Sequence, residues 1–143
     1  MYQRDYILRM IEMLGELIAG IMALIKKGDY QKADQALEIA FYDFLKKDAA
    51  FFNVIPKENL TGTLLSEHNF TNGHLEILSE LFFAQAELSY AKGIQTDSLQ
   101  FYEKSLTLLD FIEKESKTFS QEKQSRMLFI QNQIARLRNS SKS

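Results

Sequence analysis

The chain has 143 residues, 45% of them apolar, with eleven Phe, six Tyr and no Trp. That is one domain's worth of sequence with enough apolar mass for a real core, which excludes disorder by composition. The formal net charge is −2, divided as −2 over the first 72 residues and 0 over the rest, so neither half reads as a polyanion binder.

The absence of cysteine removes disulfides, iron–sulfur clusters, thiolate zinc sites and a cysteine nucleophile. One proline and six glycines favour long helices over a turn-rich β fold. The longest uncharged apolar run, Leu17–Ile25, is half of what a membrane span needs. The opening Met-Tyr-Gln-Arg-Asp sets an acid beside its base, unlike a secretory signal, so a cytoplasmic protein is expected.

Five helices are predicted. The first covers about residues 3–27, with Ile7, Met10, Ile11, Leu14, Leu17, Ile18, Ile21 and Ile25 on one stripe. Gly15 and Gly20 weaken it and are expected to mark a close approach by a neighbouring helix. Lys26 and Lys27 suit the helix C-terminus, Gly28 suits the position just past it, and Asp29 is the expected cap of the second helix. That helix buries Tyr30, Ala33, Leu37, Ala40, Phe41 and Phe44, wets Gln31, Lys32, Asp34 and Glu38, and fades after Lys47.

Residues 48–72 are an irregular connector, broken at Pro56. They are too apolar for a solvated linker and are expected to form short helical turns over the core. Thr71 or Asn72 caps the third helix, which runs to Lys92 and looks buried on two sides. Gly93 ends it, and the fourth opens at Gln95 or Thr96 with Leu99, Tyr102, Leu106, Leu109 and Ile112 inward. Thr118 with Gln121 forms a capping-box pattern for the fifth, whose stripe is Met127, Ile130, Ile134 and Leu137. The chain is thus a single all-α domain: hairpin 3–47, connector 48–72, hairpin 73–116 and capping helix 118–138.

The stretch Lys27-Gly28-Asp29-Tyr30-Gln31-Lys32-Ala33, followed by Leu37 and Ala40, resembles the turn and second helix of a tetratricopeptide repeat. The stretch from Ala86 through Tyr90-Ala91-Lys92-Gly93 to Leu99, Tyr102, Ser105 and Leu106 resembles it again, with the turn glycines 65 residues apart. The copies are degenerate. Ile21, Ser98 and Ser105 stand where the family has small residues or alanine, and Pro56 falls inside the helix a middle repeat would need. The opening Asp5 to Glu12 also resembles the start of a small bacterial all-helical family, which implies no activity. The tetratricopeptide resemblance implies antiparallel hairpins in a right-handed array, with a compact five-helix bundle as the other arrangement. It implies a non-catalytic protein- or peptide-interaction module in which the first helix of each repeat lines a groove. Partner contact then falls on Ile18, Met22, Ile25, Phe83, Glu87 and Tyr90.

Two histidines, His68 and His74, stand near Glu67 without the spacing of a metal motif and read as loop and cap residues. An enzyme or a small-ligand or metal-binding protein with a site beside them is the alternative. Asp43, Glu80, Glu87 and Asp110 read as solvated acids. No phosphate loop, nucleophile elbow or dinucleotide fingerprint occurs, so no catalytic residue, metal or cofactor is assigned, and neither nucleic acid nor membrane is expected as a partner. The apolar excess on the first and third helices, Tyr6, Met13, Met22, Phe83 and Tyr90, predicts a homodimer.

Overall fold

In the computed structural model the described residues are 2–116 and 120–141. Among the described residues the protein is all-helical, 87% of them in seven helices and a 3-10 turn, with no strand. The helices are α1 (Tyr2–Lys27), α2 (Tyr30–Leu45), α3 (Ala49–Asn53), α4 (Leu60–Glu67), α5 (Asn72–Ala91), α6 (Gln95–Glu115) and α7 (Gln121–Ser141).

The two hairpin turns close identically. Gly28, at φ +83°, lets the Asp29 N–H reach back to the Leu24 carbonyl (2.9 Å) and its own N–H to that of Ile25 (3.0 Å). Gly93, at φ +81°, does the same with Ile94 to Ser89 (2.9 Å) and Gly93 to Tyr90 (3.0 Å). Both are Schellman closures, which need a left-handed residue that only glycine adopts without strain. Asp29 does not cap α2 as expected: at ψ 63° it lies outside the extended region a capping residue uses, and its carboxylate accepts no bond from the helix.

The connector supplies the helical turns expected of it. Asp48 caps α3 by accepting from the Phe51 N–H (3.0 Å), and Pro56 opens the 3-10 turn Lys57–Asn59. Phe52, Leu60 and Leu64 are fully buried. Lys104 of α6, itself buried, donates to the Asn53 carbonyl (2.6 Å) and fastens the connector from below.

A main core joins α1, α2, the connector, α5 and α6. A smaller one joins α5, α6 and α7 through Phe83, Ala86, Tyr102, Leu109, Ile130, Ile134 and Leu137. Helix α5 belongs to both and packs against α1, α2 and α6, so nearly its whole circumference is buried. Helix α6 differs from its expected stripe: Leu108 is buried and Leu106 only half-buried.

The glycine expectation is corrected. A Cβ at Gly15 or Gly20 would meet nothing within 4 Å, and both residues are exposed. The close approach is at Gly73, where a Cβ would collide with the Ile7 side chain. Thr118 lies outside the described residues. Ser120 is the capping group seen at α7, its hydroxyl accepting from the Lys123 N–H (3.3 Å). Among the described residues no helix is long and apolar enough to cross a membrane.

Candidate partner groove

Helix α7 packs on α6 and reaches α5 through its side chains, while α1 packs directly against the other flank of α5. The space left above α5 is a groove of about 900 Å³. Its α1 wall is apolar, made by Ile11, Leu14 and Met22 with a gap at Gly15. Its floor is one stripe of α5, Glu76, Glu80, Phe83 and Glu87, at the helical spacing that shares a face. The far wall carries Lys123, Arg126 and Phe129 of α7.

The charges across the groove are mostly matched. Lys123 pairs with Glu76 at 2.9 Å, and Arg126 pairs with Glu80. The Arg126 guanidinium also lies 3.8 Å above the Phe83 ring, a cation–π contact that holds it over the floor. Phe83 is edge-on to Phe129 (5.9 Å) and Tyr102 (6.3 Å). Burial raises the proton affinity of Glu80, opposed by the Arg126 charge and hydrogen bond.

Glu87 is held differently. The fully buried Tyr102 hydroxyl donates to its Oε2 and accepts from Gln133 Nε2 (3.3 Å). Three helices, α5, α6 and α7, thus meet in a polar chain. Burial raises the pKa of Glu87, opposed by the Tyr102 bond and the Arg126 charge, and burial likewise pushes Tyr102 up.

Of the six positions assigned to partner contact, the structure brings Met22, Phe83 and Glu87 together on this groove. Phe83 is only 7% exposed. Ile18 is buried in the main core, Ile25 is half-buried against it, and Tyr90 is exposed beyond the groove. The sequence reading missed Ile11, Leu14 and Gly15, the acids Glu76 and Glu80 as floor residues, and the entire α7 wall. Two sequence features bear on it, the acids at 76, 80 and 87 that share a stripe with Phe83 and the basic character of α7, but neither says that the two meet. Glu80 and Glu87 are therefore not on a solvated face, whereas Asp43 is exposed and Asp110 pairs with Lys114 on the surface (3.0 Å).

The histidines have local partners. His68 lies edge-on to Phe51 and His74 is tilted against Phe70, each at 5.0 Å. His74 Nδ1 accepts from the Thr71 N–H (3.0 Å) while the Thr71 hydroxyl accepts from the His74 N–H, a capping box for α5. Among the described residues no three potential metal ligands cluster. Tyr6 and Met13 lie on the outer face of α1, 53% and 56% exposed, whereas Met22 and Phe83 turn inward.

Comparison with protein-family models, with curated proteins and with solved structures finds no match.

Proposed function

We propose that the chain is a non-catalytic, cytoplasmic interaction module built from two tetratricopeptide-like hairpins, and that the groove between α1, α5 and α7 receives a segment of its partner. The observation that carries this reading is the groove itself: an apolar wall facing a charged one across a floor with an aromatic edge. Binding sites combine apolar area with a few placed polar groups in this way. The hairpin reading is supported by two turns of the same geometry 65 residues apart.

The test is occlusion. Gly15→Phe places a ring in the groove without displacing any atom at its Cβ. Peptides selected on the wild-type protein from a random dodecapeptide display library should lose binding to this variant while its melting temperature holds. Peptides that bind both equally would overturn the reading.

A second reading, the homodimer, is supported by Tyr6 and Met13 on the outer face of α1. Light scattering should then give twice the 16.6 kDa of one chain, and Met13→Glu should return it to one. A wild-type mass of 16.6 kDa rejects the dimer.

A further inference from the structure

The α5 floor offers three carboxylates, and two of them are already matched by cations of α7. Glu87 accepts one hydrogen bond from the Tyr102 hydroxyl and, among the described residues, pairs with no cation. Arg126, whose charge does reach it, is held by Glu80 and by the Phe83 face. Beside Glu87 the groove surface is apolar, with Met22 on the α1 wall and Phe83 on the floor.

Resting on the groove reading above, we propose that the segment received is basic and apolar: a lysine or arginine side chain pairs with Glu87, and a neighbouring aliphatic or aromatic side chain lies against Met22 and Phe83. An acidic segment would meet the unmatched Glu87 carboxylate and find Lys123 and Arg126 already engaged by Glu76 and Glu80, so the same geometry that attracts a cation rejects an anion. A partly desolvated carboxylate whose other oxygen takes no donor among the described residues is suited to a charge-assisted bond, and a guanidinium can take that oxygen while its plane lies on Met22, the Phe83 face being covered by Arg126. Burial that raises the proton affinity of Glu87 sets the pH sense. The carboxylate is the binding form, so affinity falls as pH drops through its range.

The experiment uses dodecapeptides selected on the whole chain from the random display library, fluorescein-labelled and titrated by anisotropy. The expected sequences place Lys or Arg within a few residues of Leu, Met or Phe. Glu87→Gln in the protein, which leaves Tyr102 an acceptor, and Lys or Arg→Gln in the peptide should each weaken binding by about tenfold or more. The two changes together should cost little more than either alone. The peptide-side change leaves the protein untouched, so it decides the matter even if Glu87→Gln alters the fold. Neutral or acidic peptides that are lost on Gly15→Phe but indifferent to Glu87→Gln would overturn the basic partner and leave the groove reading standing. Peptides indifferent to Gly15→Phe, or no enrichment at all, would overturn both.

Discussion

Hairpins α1–α2 and α5–α6 turn on the same backbone geometry, yet their seams are made of different chemistry. At matching positions 65 residues apart, Ala33 and Ala40 become Ser98 and Ser105, Leu37 becomes Tyr102, and Met22 becomes Glu87. In the first hairpin these residues pack by shape alone. In the second, Ser98 donates to the Ala86 carbonyl (2.9 Å), Ser105 to that of Ser79 (2.8 Å), and Tyr102 to Glu87. Position in the domain goes with the difference. Helix α1 keeps one face in water, whereas α5 is enclosed by α1, α2 and α6, and any polar group facing it needs a protein partner. Small residues line both seams, and in the second their hydroxyls reach helix carbonyls.

The first seam is where a charge should do most harm. Ala33 is fully buried and Lys32 beside it is exposed. Ala33→Asp should unfold the domain, because an unpaired carboxylate there costs about 3–5 kcal/mol, a large part of the stability of an ordinary domain. Lys32→Asp should melt within a few degrees of the wild type. Equal melting of the two would show that α2 does not pack on α1 through Ala33.

The second seam should break through its polar chain. Tyr102→Phe keeps the ring but leaves Glu87 without its donor and Gln133 without its acceptor, a cost of about 1–3 kcal/mol by denaturant titration. An unchanged midpoint would mean that the seam holds by packing alone, like the first.

How far the sequence shows these seams depends on what made them. Periodicity placed the α2 stripe because a helix with one wet face writes its burial that way: Ala33, Leu37, Ala40 and Phe41 are inside, and Tyr30 and Phe44 of the expected stripe are half-buried. It showed that α5 was buried on two sides, from the paired stripes of Leu75, Leu78, Phe82 and Ile77, Leu81, Leu88. It did not show that Glu80 and Glu87 lie in a groove, because an acid on a helix carries no mark of which distant base or hydroxyl meets it. Arg126 is 46 residues from Glu80 in sequence, and Tyr102 is 15 from Glu87. Gly15 and Gly73 were likewise indistinguishable as letters; only the placement of Ile7 decides which one a neighbour presses on.

The α5 cap gives a pH-dependent handle on the central helix. Burial lowers the pKa of His74 from its usual value of 6.5, and its Nδ1 must be unprotonated to accept from Thr71. The folded pKa therefore lies below the unfolded one. The contribution is fully present above pH 6.5 and is lost as pH falls through the lowered value. His74→Gln keeps an acceptor at the third helical position and should flatten this part of the stability-against-pH curve, with a change at neutral pH of no more than about 1 kcal/mol. An identical pH profile in the variant would assign the dependence to other groups.

The smallest effect, and the sharpest comparison of the seams, comes from exchanging their matched residues. Ser105→Ala removes one buried hydroxyl together with its need for a partner, and the Ser79 carbonyl it served stays in the α5 backbone ladder. The loss of about 1 kcal/mol expected for one hydrogen bond is partly offset by alanine's better helix propensity. The reverse exchange, Ala40→Ser, places a hydroxyl at the matching point of the first seam, where the α1 residue corresponding to Ser79 is Leu14. If the seams share their backbone spacing as they share their turns, that hydroxyl will find the Leu14 carbonyl and the variant will lose no more than about 1 kcal/mol. A loss of about 3 kcal/mol or more, as for an unsatisfied or overpacked group, would show that the α1–α2 seam is closer than its counterpart. The serines would then be specific to the wider crossing around α5 rather than interchangeable with alanine.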